Sequence, residues 1–161
     1  MSKKWFSLFI AVVLLLSTVG TALAETAPGT CPRGETVRVG GKQGFHSSNG
    51  DFKCQTKAYN VKVSAAPVPK ALKFVRPIMS LEKKTVQPDS VVFSGKTQVY
   101  FDLNKNQEKA WKAGKLAIYY YDKFTKTWTK LSSAQAVSVP RGFRIASRIY
   151  DFGLYGLAMV R

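Results

Sequence analysis

The chain has 161 residues, with 25 lysines and arginines against 9 aspartates and glutamates, and its formal net charge is +16. It has two cysteines and a single histidine, too few of the usual ligands for a four-coordinate zinc site, so no metal is predicted. The positive excess attracts anionic polymers, lipid head groups, acidic glycans or nucleic acid, or serves solubility alone, and does not choose among them.

Residues 1–24 have the layout of a secretory signal peptide. Ser2–Lys4 is basic, Trp5–Leu16 is apolar, and small residues at Ala22 and Ala24 precede the predicted cleavage after Ala24. The apolar run is shorter than the roughly 20 residues that span a bilayer, so a retained membrane anchor is the less favoured alternative. We therefore expect a secreted or cell-envelope chain without stable membrane insertion. Cleavage leaves 23 basic residues against 9 acidic ones, a net charge near +14.

Residues 25–64 are predicted to form a small β segment held by a disulfide. Short alternating stretches at Thr36–Val39 and Ala58–Val63 indicate strands, separated by a glycine-rich break and a turn. A segment this poor in large apolar residues needs a covalent staple. In an exported chain the two cysteines, Cys31 and Cys54, are expected to pair.

Residues 65–70 are predicted to be a linker, because Pro67 and Pro69 favour an extended segment and cannot donate to a sheet. From residue 71 to residue 161, closely spaced strand and turn signals predict an antiparallel β-sandwich in an all-β fold. The strand candidates are 72–75, 78–81, 91–93, 97–103, 116–122, 127–131, 142–149 and 154–160. Residues 132–140 are expected to be a connection, and 104–114 to hold one helical turn ending at Gly114.

The central feature is a hairpin from Leu116 to Leu131. Leu116, Ile118 and Tyr120 alternate with Tyr119 and Tyr121, which predicts that the first three side chains face the core and the two tyrosines face outward.

Asp122 suits the turn of this hairpin. Beyond the turn, Trp128 is predicted to anchor the core, because its large ring can bury more area than its neighbours can.

Part of this region resembles the closing part of small β-sandwich modules of exported bacterial proteins, loosely grouped as ZU5-like. The resemblance rests on Ile118–Asp122, Thr125, Trp128 and Phe152–Tyr155, and it covers at most residues 71–161. It implies a fold and an extracellular context. No catalytic residue carries over from it.

No catalytic group or cofactor is predicted from the residues themselves. His46 lies near Ser47, Ser48 and Asp51, but the turn-rich setting favours a solvated loop over a nucleophile site. Residues 95–97 have the ending of a phosphate-binding loop, yet the first glycine of that motif is absent and no helix pattern follows.

A binding face is predicted where aromatic and cationic side chains alternate outward, and its residues are Tyr100, Tyr119, Tyr121, Arg144 and Arg148. In the alternative, a second layer or the N-terminal segment covers these aromatics. The functional hypothesis is a non-enzymatic, surface-associated protein that is structural or binds an anionic cell-envelope polymer or a protein partner. The alternative is a cationic extracellular protein that binds glycans or nucleic acid, and an enzyme is the third possibility.

Overall fold

The computed structural model describes residues 35–48, 50–84, 97–140 and 142–161. The elements in chain order are β1 (Thr36–Arg38), β2 (Gln43–His46), α1 (Gly50–Gln55), β3 (Thr56–Val61), a 3₁₀ turn (Val63–Ala65), β4 (Leu72–Phe74), β5 (Ile78–Lys83), β6 (Gln98–Leu103), α2 (Lys105–Lys112), β7 (Leu116–Asp122), β8 (Thr127–Lys130), β9 (Gln135–Ser138), β10 (Phe143–Arg148) and β11 (Gly153–Val160).

The strands form two antiparallel sheets. The first sheet has the order β1-β2-β6-β10-β9, and the second has the order β3-β5-β11-β7-β8, with β4 also paired to β11. One apolar cluster fills the space between the sheets, with Phe45, Phe101 and Ile145 from the first sheet against Ile118 and Leu157 from the second. This arrangement confirms the predicted all-β antiparallel sandwich.

The N-terminal strands belong to the sandwich itself. β2 pairs with β6 in the first sheet and β3 pairs with β5 in the second, so strands on both sides of residues 65–70 form shared ladders. All the described residues belong to one compact unit. The described part of the predicted N-terminal segment, residues 35–64, therefore belongs to the same sandwich as the described residues beyond 70. The segment has few large apolar residues, and it does not need a core of its own. Its Phe45 and Phe52 join the apolar cluster that the two sheets share.

Residues 61–74, which include the predicted linker at 65–70, cover the outer face of the second sheet. Val61, Val63 and Phe74 pack on Tyr121 and Leu154. Farther along the same face, Val68 and Phe74 pack on a cluster that contains Leu72, Ala117, Tyr119 and Ala158.

Trp128 belongs to this outer layer, so the prediction that it anchors the core between the sheets was wrong. Its ring lies 4.5 Å from that of Phe74 and 5.2 Å from that of Tyr121. Its indole Nε1 donates to the Pro67 carbonyl at 2.8 Å. The carbonyl of a predicted linker residue thus holds the layer in place.

The helical turn predicted near 104–114 is α2, a helix of two turns. Asn104 caps it: the Asn104 side chain accepts from the Gln107 backbone at 2.9 Å, and the Gln107 side chain accepts from the Asn104 backbone at 3.1 Å. Beyond its end Gly114 has a φ of +72°, a conformation that favours glycine. The helix thus ends at Lys112, two residues before the predicted limit at Gly114.

Tyr120, on the inner side of β7, makes the stability of the fold depend on pH in the alkaline range. Burial and the nearby negative charge of Asp151 raise the pKa of Tyr120 from 10.0 to about 12. Because the folded-state pKa is the higher one, this contribution to stability is complete below pH 10.0 and is lost as the pH rises toward 12. The urea midpoint of unfolding should therefore fall as the pH rises over this range. Tyr120→Phe should make the midpoint depend less steeply on pH, and an unchanged dependence would contradict the assignment.

Several sequence predictions lie outside the described residues: the signal peptide at 1–24, the strand at 91–93 and the residues at 95–96. Cys54 lies in α1 and is not a free cysteine, but its expected partner Cys31 lies outside the described range, so their bridge stays a prediction. Within the described ranges, no helix is long and apolar enough to cross a membrane.

Candidate functional site

The outer face of the first sheet carries the polar and cationic side chains of β1, β2, β6, β10 and β9. Since Val99 and Ile145 point into the core, their neighbours on β6 and β10 point away from it. The outward-facing residues that pair across neighbouring strands then form three rows that run across this face. They are Thr36, His46, Gln98 and Arg148; Arg38, Gly44, Tyr100, Ala146 and Gln135; and Asp102, Arg144 and Val137.

Tyr100, Arg144 and Asp102 form the centre of this face. The Arg144 guanidinium lies 4.0 Å from the centre of the Tyr100 ring, a cation–π geometry. Its Nε and Nη2 donate to the two carboxylate oxygens of Asp102 at 2.5 and 3.1 Å. These hydrogen bonds raise the pKa of Arg144. The Asp102 carboxylate thus largely compensates the charge of Arg144, and the plane of the guanidinium group covers the Tyr100 ring.

Tyr100 is only 2% exposed, so its ring offers no open surface to a ligand. Gly44 makes room for it: a Cβ at Gly44 would lie 2.7 Å from the Tyr100 hydroxyl and would also meet the Val37 carbonyl. Burial raises the pKa of Tyr100, and the positive charges of Arg144 and Arg38 oppose that rise. Tyr100 is therefore part of the platform under Arg144, and its predicted role as an exposed stacking ring was wrong.

Arg148 lies beside a cavity of about 280 Å³ on the same face. Gln98, Gln135, Val137 and Ala146 line it together with Ser133, and Tyr150, which is 68% exposed, completes the lining. In the part of the chain that the structure describes, neither Arg148 nor the exposed Arg38 belongs to an ion pair. Among the residues of the three rows, these two arginines are therefore the cations without an ion-pair partner.

Sequence reasoning found Arg148 but missed Arg38, Gln98, Gln135 and Tyr150. The signal for Arg38 was present, because the strand that contains Val37 alternates in the same way as β10 does. Gln135 gave no such signal, since its stretch resembles a connection and becomes strand β9 by pairing with β10.

Tyr119 and Tyr121 lie on the other sheet and do not join this site. As predicted, they face away from the core cluster, opposite Leu116 and Ile118. They are nevertheless only 6% and 7% exposed, because residues 61–74 and Trp128 cover them. The predicted five-residue face is therefore divided between two opposite surfaces, and only its first-sheet members share one side.

His46 and Ser47 make separate contacts. The His46 ring lies 3.3 Å from the Glu35 carboxylate through Nε2 and 3.3 Å from the Thr36 hydroxyl through Nδ1. The Ser47 hydroxyl is buried and hydrogen-bonds to Thr97 at 3.0 Å. These contacts fix the end of β2 to its neighbours.

A second cavity of about 420 Å³ lies between α2 and the chain beyond β8. Trp111, Leu116, Leu131 and Ala134 give it a mostly apolar lining, with Lys130 as its charged member. Among residues 35–48, 50–84, 97–140 and 142–161, no group of three His, Cys, Asp or Glu side chains could hold a metal ion.

Comparisons of this chain with protein-family models, with curated proteins and with solved structures give no match, so its resemblance to ZU5-like modules stays a prediction.

Proposed function

We propose that this protein is an exported, non-enzymatic binding module that holds an anionic polymer of the cell envelope on the outer face of its first sheet. The observation that carries the proposal is the pair Arg38 and Arg148, two exposed cations on one face without carboxylate partners among the described residues.

The spacing of the two arginines favours a polymer over a small anion. They stand on β1 and β10, three strand spacings apart and in adjacent rows, which separates their Cα atoms by about 15 Å. A single phosphate would contact both only if the two side chains converged on it. A chain with repeated negative charges can contact both arginines without such convergence, along a sheet whose cross-strand pairing fixes the two strands in advance.

Binding of glycans or nucleic acid by aromatic stacking has less support. Such binding needs exposed rings for sugars or bases, whereas Tyr100, Tyr119 and Tyr121 are all buried. Tyr150 is the exposed ring beside Arg148, and one ring does not make a stacking platform. The observations therefore favour recognition by charge.

The test is titration of the exported protein with a fluorescent poly(glycerol phosphate) at about 50 and 200 mM salt. We expect wild-type affinity to fall steeply as salt rises. The double variant Arg38→Gln with Arg148→Gln should bind about tenfold more weakly at the lower salt concentration. The slope of its log affinity against log salt concentration should be smaller in magnitude by about 1 to 2, because each phosphate contact contributes to that slope.

The matched control removes two exposed charges from the second sheet. Lys123→Gln with Lys126→Gln changes the net charge by the same amount in the β7–β8 turn and should leave polymer affinity within about twofold of wild type. Equal losses in both double variants would show that total charge alone drives binding, and the proposed face would then be rejected.

A further inference from the structure

The turn between β7 and β8 presents an isolated aromatic ring to solvent. Phe124 is 95% exposed, the highest exposure among the large hydrophobic residues that the structure describes. Lys123 and Lys126 flank it and are exposed as well. Single exposed apolar side chains are common, so further features must distinguish this one.

The first such feature is the rigidity of the turn. An oxygen of the Asp122 carboxylate accepts from the Phe124 backbone at 2.8 Å, and its other oxygen accepts from the Thr125 hydroxyl at 3.0 Å. The Thr125 and Thr127 hydroxyls hydrogen-bond at 2.7 Å. Lys126 completes the turn with a φ of +52°. The backbone that presents the Phe124 ring is therefore fixed before any partner arrives, which lowers the entropy cost of binding.

The second feature is the composition of this end of the sandwich. Because Leu154 pairs with Tyr121, the connection that precedes β11 emerges beside the β7–β8 turn. That connection carries Tyr150, whose exposed ring lines the cavity beside Arg148, so we assign it to the polymer face and not to the turn. Within the described part of the chain, Lys123 and Lys126 form no ion pair, although Lys123 is close enough to Glu82 to help lower the pKa of that carboxylate, and the Asp122 carboxylate is engaged in the turn. The turn therefore combines one exposed aromatic ring, Phe124, with two exposed lysine side chains.

We propose that the β7–β8 turn is a docking tip for an anionic lipid surface, with Phe124 entering the interfacial region and Lys123 and Lys126 binding head groups. Aromatic side chains partition to the membrane interface, and basic residues beside them are attracted to anionic lipids. A protein partner would instead be expected to meet a packed apolar patch with a polar rim, and a lone ring between lysines is not such a patch. This docking site is separate from the polymer face.

The test is co-sedimentation of the exported protein with vesicles of phosphatidylcholine alone and with vesicles containing phosphatidylglycerol. We expect binding only to the anionic vesicles. Phe124→Ser and, separately, Lys123→Gln with Lys126→Gln should each weaken that binding about tenfold without changing the melting temperature. A Phe124→Trp variant should gain a blue-shifted emission component, relative to wild type, when anionic vesicles are added.

The matched controls lie at the opposite end of the sandwich. Lys105→Gln with Lys109→Gln removes two exposed charges from α2, and Val160→Ser removes another exposed apolar side chain; both should bind vesicles as wild type does. Loss of binding in the α2 variant equal to that in the turn variant, or wild-type binding by Phe124→Ser, would overturn the proposal. Phe124-dependent capture of an envelope protein without vesicle binding would overturn it also.

The two proposals can fail independently. Arg38→Gln with Arg148→Gln should keep vesicle binding while its polymer binding weakens about tenfold. Polymer binding without any vesicle binding would overturn the docking tip alone.

Discussion

Replacing Phe45 with alanine is expected to lower the free energy of unfolding of the whole sandwich by about 3–5 kcal/mol. The Phe45 side chain is fully buried and packs edge-to-face on Phe52, with their ring centres 5.7 Å apart. Phe52 in turn stacks on Phe152, just before the last strand, at the same centre distance. A loss of this size is large against the roughly 5–15 kcal/mol that stabilise an ordinary domain.

Urea unfolding followed by far-ultraviolet circular dichroism and by tryptophan fluorescence measures this effect. Because Trp111 packs against the core cluster and Trp128 packs on the outer face of the second sheet, both signals should shift to the same lower midpoint in Phe45→Ala. Phe124→Ala is the matched control, since the same truncation at an exposed site should leave the midpoint nearly unchanged. An early loss of dichroism with a wild-type fluorescence midpoint would instead show that residues 25–64 unfold alone.

The facing of the long strands could be predicted from the sequence because alternation is a local property. Val99 and Phe101 on β6, Ile118 on β7 and Ile145 on β10 point inward as the period of two indicates. Each of these strands has apolar residues on one side and a distinct set on the other, so its own residues carry the information. The pairing of Arg144 with Asp102 depended only on bringing two such strands together.

Two strands could not be predicted because their own residues do not carry the signal. Gln43–His46 follows a pair of glycines, and it becomes a strand through its ladders with β1 and β6. Gln135–Ser138 is exposed at every position and forms the edge of the first sheet beside β10. In both, the partner strand supplies the hydrogen bonds that select the extended conformation.

The covered tyrosines show the same limit at the level of the site. Alternation correctly placed Tyr119 and Tyr121 away from the core, but whether an outer face meets water depends on distant segments. Here the proline-containing residues that resembled a linker fold back over the sheet, and the Pro67 carbonyl fixes them to the Trp128 indole. The residues of β7 and β8 do not by themselves indicate that contact.

Tyr121→Ala is therefore expected to destabilise the fold by about 3 kcal/mol, where an exposed binding residue would cost almost nothing. The Tyr121 ring lies 5.2 Å from that of Trp128 and packs in one cluster with Ile78 and Leu154. Removing it leaves a cavity beneath the layer formed by residues 61–74. Tyr119→Ala should have a similar effect, because it lies in the adjoining cluster with Leu72 and Ala158.

Thermal melts and poly(glycerol phosphate) titrations of the same variants distinguish a packing role from a binding role. Tyr150→Ala is the matched control for stability, since that exposed side chain should be removable with little change in melting temperature. Below their melting temperatures, Tyr119→Ala and Tyr121→Ala should bind the polymer as wild type does, because the arginines lie on the other sheet. A Tyr121→Ala variant that melts like wild type but no longer binds polymer would show that the outer layer opens in solution. The polymer-binding site would then have to be assigned to the second sheet.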